Sequence, residues 1–224
     1  MRRSRAHVQS LATTASGAAA VRLRAAPGAI PAPGQVSLAC RPGSEDPLRH
    51  MLVPIELHPD GFTCLQPEAA RWLPGDDIDL LGPIGQGFSP PPDRGRWLLA
   101  AFGLPPEVLL PLLTLGLARR VELAVWSEER GVYPPQVEVL PVLAPAIAWA
   151  DYAALAVSSD GLVRLGADPE LRDLRRLARA VEVLILPRMA CGIGVCGACA
   201  IEGHPKHPRA CSDGPVFRLE DVLP

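Results

Sequence analysis

Up to Ser89 the chain alternates short apolar segments with turn signals. Ser16-Gly17, Pro27-Gly28, Pro33-Gly34, Pro42-Gly43, Asp60-Gly61 and Pro74-Gly75 separate runs such as residues 36–39, 52–57 and 78–81. Glycine and proline supply the backbone angles that tight turns need. Short apolar strands between such punctuation predict a small β-barrel or sandwich. Val8, Leu11, Val21, Leu23 and Ile30 fit two short strands around the Ser16-Gly17 turn. Beyond the proline-rich residues 89–92 the pattern changes. Residues 97–102, 121–126, 152–157 and 181–186 read as buried strands, and 106–119 as a helix with proline near its start. Residues 169–180 read as a basic amphipathic helix whose arginines form a solvated face. Strand and helix alternating at this spacing predict βαβ units on a parallel sheet.

The pattern dissolves after Pro187 into a cysteine-rich loop, Cys191-Gly-Ile-Gly-Val-Cys196-Gly-Ala-Cys199, with Cys211 following and residues 216–219 reading as one more strand. C-x4-C-x2-C with a later fourth thiol is the ligand spacing of a plant-type [2Fe-2S] cluster. Such a loop must wrap backbone closely around anionic sulfur and aim N–H groups inward. Gly192, Gly194 and Gly197 permit that approach. Zinc is the first alternative, but structural zinc sites usually split their ligands into two short-spaced pairs far apart in sequence. Disulfides are the second, and six cysteines so unevenly spread do not form a disulfide framework. His204 and His207 lie between the third and fourth thiols in a proline-rich stretch that reads as exposed loop. The expected metal ligands are Cys191, Cys196, Cys199 and Cys211, with no residue assigned to catalysis. Cys40 and Cys64 read as small buried hydrophobes.

The expected class is multi-domain β plus α/β. It comprises a small β-barrel over residues 1–94, a central parallel α/β lobe of nucleotide-binding type over 95–186, and a [2Fe-2S] lobe over 187–224. Composition narrows the partners. A net charge of −2 across 224 residues leaves no basic footprint for nucleic acid. The longest apolar run, residues 142–150, contains Pro145 and is too short to span a bilayer. Arg2-Arg3-Ser4-Arg5 has the look of a targeting segment, yet Ala, Thr, Ser and Gly follow it instead of an apolar core, so strand structure is expected there. Thiols gathered at one site point to a reducing, cytoplasmic setting.

The run 188–199, Arg-Met-Ala-Cys-Gly-Ile-Gly-Val-Cys-Gly-Ala-Cys, resembles the cluster motif of the electron-transfer subunit of type B dihydroorotate dehydrogenase. Ala210-Cys211-Ser212-Asp213-Gly214-Pro215-Val216-Phe217 is similar to that family's closing segment, residues 81–88 (Leu-Gly-Pro-Ile-Gly-Gln-Gly-Phe) to its barrel-exit loop, and Pro33-Gly34-Gln35 to its early strand entry. The resemblance implies a relay: FAD between barrel and α/β lobe, hydride exchange with NADH, and a [2Fe-2S] centre wired to a partner catalytic flavoprotein subunit. Splitting a hydride into single electrons is what a flavin and a cluster achieve together.

The chain also departs from that pattern. Of the flavin motif Arg-Pro-x-Ser, only Arg49 is present at the expected place, and it is the one candidate FAD contact; the Gly-Thr pair that should follow is missing. A dinucleotide site needs a glycine-rich turn between strand and helix. Here the turn reads Gly103-Leu104-Pro105-Pro106-Glu107, with two prolines that donate nothing and an acid where phosphate would sit. The Cys-Gly-Pro that the family places near nicotinamide is absent after Val157. NAD binding is therefore not expected, and FAD is left open. Asp76-Asp77-Ile78-Asp79 and Glu128-Glu129-Arg130 read as solvated charge. The leading expectation is an electron-transfer subunit between a flavin- or NADH-type donor and a partner flavoenzyme. The alternative is a non-enzymatic [2Fe-2S] redox or iron sensor on a degenerate reductase scaffold.

Overall fold

The computed structural model describes residues 2–44, 48–67, 70–92, 95–167, 180–201 and 207–222. The turn-punctuated first part forms seven strands: β1 (Arg2–Thr13), β2 (Ala19–Ala25), β3 (Val36–Cys40), β4 (His50–Leu52), β5 (Pro54–His58), β6 (Gly61–Leu65) and β7 (Asp77–Ile84). They pair in the order β4-β3-β7-β1-β2-β6-β5, antiparallel throughout. Only Val53 separates β4 from β5, the two edge strands, so the sheet curls until its edges approach. The Ser16-Gly17 turn closes the first hairpin as expected, with Gly17 at φ +91° and its N–H on Thr14 O. The arginine-rich start is strand: Arg2 to His7 pair with β7, and Arg3 donates to Asp79 at 2.7 Å. Alternation puts Ala6, Val8, Leu23, Phe62, Ile78 and Leu80 inside the curl. The segment expected at 52–57 divides at Val53 into β4 and β5, and β6 is a strand that turn signals alone did not reveal.

The second sheet contains β8 (Arg96–Phe102), β9 (Glu122–Ser127), β10 (Glu138–Val139), β11 (Tyr152–Val157), β12 (Val181–Ile185) and β13 (Val216–Arg218), in the order β10-β9-β8-β11-β12-β13. Neighbours are parallel except β13, which runs antiparallel beside β12. β8 beyond Arg96 and all of β11 are apolar because helices and loops cover both faces of a parallel sheet. A 3-10 turn (Pro106–Leu109) leads into α1 (Leu110–Arg119), so the helix expected from 106 begins with a tighter turn imposed by Pro105 and Pro106. α2 (Leu143–Trp149) and α3 (Ser159–Ala167) are helices the sequence reading did not anticipate. Ser158 starts α3 by accepting the Gly161 N–H at 3.0 Å. The helix expected at 169–180 lies outside the described residues, apart from Ala180. Trp97 and Tyr152 are fully buried on adjacent strands, ring centroids 5.4 Å apart and planes at 64°, an edge-to-face pair.

Candidate metal centre

Three motifs that lie far apart in sequence meet at one seam. The Phe88 N–H donates to Pro33 O at 2.9 Å, Gln35 Nε2 to Gly85 O at 2.8 Å, and the Gln86 N–H to Gly214 O. A Cβ at Gly85, where φ is +75°, would overlap Gly214 O and Pro215 Cδ. Barrel exit, early strand entry and closing segment are therefore one junction, and it carries the cysteine loop. At Gly192 an added Cβ would sit 3.0 Å from Ile84 Cδ1 and 3.2 Å from Leu38 Cδ1, so the loop rests on the end of β7 and the middle of β3.

The loop has the left-handed turns its glycines allow, at φ +69°, +75° and +73° for Gly192, Gly194 and Gly197. Those turns aim backbone amides at sulfur. The Ile193 N–H lies 3.5 Å from Cys191 Sγ, and the Gly194 N–H 3.1 Å from Cys211 Sγ. N–H groups of Ile193 and Cys196, then the Cys196 thiol and the Val195 N–H, pull the Cys191 thiol down to about 6. Burial, reinforced by Cys199, pushes Cys211 up to about 12, against the lowering effect of the Gly194 amide. Cys199 and Cys211 lie 3.2 Å apart, both buried, while Cys191 is half-buried and Cys196 exposed. Asp213 fixes the turn around Cys211, accepting the Arg209 N–H at 2.8 Å and returning its own N–H to Arg209 O.

All six cysteines are free thiols. Among the described residues no three His, Cys, Asp or Glu side chains converge as a single ion would require. The four thiols instead form an outer pair, Cys191 with Cys196, and an inner pair, Cys199 with Cys211. Two pairs backed by inward N–H groups suit a dinuclear iron–sulfur cluster, in which each iron takes two thiolates. His207 stands in the described loop and His204 outside the described residues.

The other positions read for cofactors are Arg49 and the turn after β8. Arg49 donates to Asp79 O at 3.0 Å on the barrel wall. A cavity of about 350 Å³ lies at the seam between barrel and α/β lobe, walled by Ile55, Leu110, Leu113, Leu117, Val132 and Tyr133 among others. Its charged lining groups are Glu56 and Glu107, and a dianionic pyrophosphate needs the opposite sign. Among the described residues, neither Arg49 nor any other cation lines it. Glu107 is buried and accepts a hydrogen bond from Ser16 Oγ. Glu128 is exposed, as its reading as solvated charge expects, and it also bridges Gly103 N–H (2.7 Å) and the Arg164 guanidinium (2.6 and 3.0 Å). No local signal could have shown that link, since the partners are 25 and 36 positions away.

Residues 187–223 match the iron–sulfur cluster binding domain of dihydroorotate dehydrogenase B. Electron transfer subunits of dihydroorotate dehydrogenase B (NAD(+)) are 30% identical in Geobacillus thermodenitrificans over 67% of this chain and 66% of the relative. In Geobacillus kaustophilus the corresponding subunit is 30% identical over 69% and 68%. The chain spans about two thirds of the length of these relatives. Among solved structures, a chain of the NADH-dependent reduced ferredoxin–NADP oxidoreductase superposes with a TM-score of 0.71 at 18% identity, over 97% of this chain and 89% of the other. The ferredoxin reductase in carbazole 1,9a-dioxygenase gives 0.59 at 15% identity, over 79% and 66%. These two likenesses establish a ferredoxin reductase-like fold. Together with the curated relatives and the cysteine lobe, they identify the chain as a member of the dihydroorotate dehydrogenase B electron transfer subunit family.

Proposed function

We propose that this chain is an electron-transfer subunit that holds a [2Fe-2S] cluster on Cys191, Cys196, Cys199 and Cys211 and works with a catalytic flavoprotein partner similar to dihydroorotate dehydrogenase. The carrying observation is the paired arrangement of thiols under converging backbone amides. A bound cluster supplies one-electron chemistry that no side chain here can provide. The chain's own residues do the rest. Cys191 is kept anionic near neutral pH and so is ready to bind iron without a separate base. Cys199 and Cys211 anchor the inner side against Ile201, Ala210 and Phe217 and keep water away from it. Cys196 faces outward between Val195 (77% exposed) and Gly197, which brings one edge of the site to the surface where a partner can approach.

The described lining of the seam cavity offers an FAD pyrophosphate no cation. FAD on this chain stays open as the sequence left it, and no step is assigned to it here. The partner's flavin is the proposed far end of the transfer. Replacing Cys211 with serine tests the ligand set. Iron, acid-labile sulfide and electron delivery to the partner should fall together, and retention of all three would overturn the assignment.

A further inference from the structure

The order β10-β9-β8-β11-β12-β13 puts a topological switch point between β8 and β11, at the carboxyl ends of the strands, where open α/β sheets bind their ligands. In this chain the polar groups at the mouth of that crevice, on Gly103, Glu128 and Arg164, all of them exposed, are already engaged by one another. The Ser158 N–H, just past β11, donates to Phe102 O at the end of β8 at 3.0 Å. Gly103 follows β8 at φ +61°, and a Cβ there would lie 2.5 Å from Ser158 Oγ. Its N–H, the amide a nucleotide phosphate would seek, is taken by Glu128 at 2.7 Å. Arg164 on α3, the cation such a phosphate would also seek, forks onto both oxygens of the same carboxylate. Glu128 leaves the end of β9 and so reaches across β8 to the far side of the switch point. Further along the same turn, Pro105 and Pro106 offer no N–H, and the next side chain is the buried carboxylate of Glu107.

We propose that Glu128 is an intrinsic stand-in for a dinucleotide phosphate, occupying the Gly103 amide and Arg164 so that the α/β lobe is closed to NADH. The consequence, resting on the electron-transfer reading above, is that NADH does not dock on this chain as its reductant. Beneath the carboxylate lies a latent anion site of one amide and one guanidinium, which opens when Glu128 is removed. An internal ligand of this kind lowers the apparent affinity of any external one by the fraction of time it is displaced.

Isothermal titration of the intact, cluster-loaded protein tests both halves. NADH at millimolar concentration should give no saturable heat with the unaltered chain. Inorganic pyrophosphate should bind Glu128→Ala at least roughly tenfold tighter than the unaltered chain, a gain in line with freeing one charged hydrogen-bonded pair. The double variant Glu128→Ala/Arg164→Ala should lose that gain. Micromolar NADH binding by the unaltered chain would overturn the proposal, as would Glu128→Ala that keeps the native circular dichroism yet gains no pyrophosphate affinity. Iron and sulfide measured on the same samples separate this outcome from failure of the electron-transfer reading, because the crevice lies outside the cysteine loop.

Discussion

Cys191 and Cys211 occupy one loop system yet are driven in opposite directions. Amides converge on the first, and burial dominates the second. In cluster-free protein at pH 7 iodoacetamide should therefore modify Cys191 well before Cys211, and the Cys191 rate should drop as pH falls through about 6. Peptide mapping over time reads this directly, and preferential labelling of Cys211 would contradict it. The linkage has a definite sign: Cys191 is depressed in the folded state, so its contribution to stability is complete above the free-thiol value and is lost as pH falls through about 6. At the seam, Gly85→Ala drives a Cβ into the Gly214–Pro215 backbone at a left-handed φ. The expected cost is about 1–3 kcal/mol from the backbone conformation alone. Thermal unfolding of the intact chain measures it, at about 2–4 °C per kcal/mol for a chain of this size. A melting temperature equal to that of the unaltered chain would show that the junction yields.

The strands that alternate or run continuously apolar were legible, and β11 spans the residues expected, 152–157. The curl of the first sheet followed from its turn signals, since Gly and Pro mark φ values independently of any partner. What stayed hidden was set by contacts distant in sequence. α3 starts where Ser158 finds the Gly161 amide, in a stretch whose Ser-Ser-Asp-Gly composition reads as loop. β6 is a strand because β2 and β5 pair with both of its edges, which no periodicity in Gly61–Leu65 announces. Arg49 kept its place in the pattern but is engaged by Asp79 O, a partner 30 positions along the chain. The paired centre of the second sheet makes a further expectation. Trp97→Ala removes a fully buried ring stacked edge-on against Tyr152, and should cost about 3–5 kcal/mol in denaturant unfolding. A loss under 1 kcal/mol would mean the sheet repacks around the gap.

The two sheets and the cysteine loop are built as one body. β13 follows Cys211 and completes the second sheet, while the loop rests on the first. That continuity holds the outer thiol pair at the surface beside two exposed apolar side chains, Ile193 (53%) and Val195 (77%). Exposed apolar groups around a redox centre suit a dry contact with a partner. Val195→Asp should leave iron content unchanged and slow electron delivery to the catalytic subunit, as followed by stopped-flow absorbance. Unaltered rates would place the partner elsewhere. The account as a whole stands on the metal centre. Its most direct test is the iron, acid-labile sulfide and zinc content of anaerobically purified protein, read with the electron paramagnetic resonance spectrum after dithionite reduction. The account predicts iron and sulfide in the one-to-one ratio of a [2Fe-2S] cluster and a rhombic signal from its reduced form. Stoichiometric zinc with neither iron nor sulfide would contradict it.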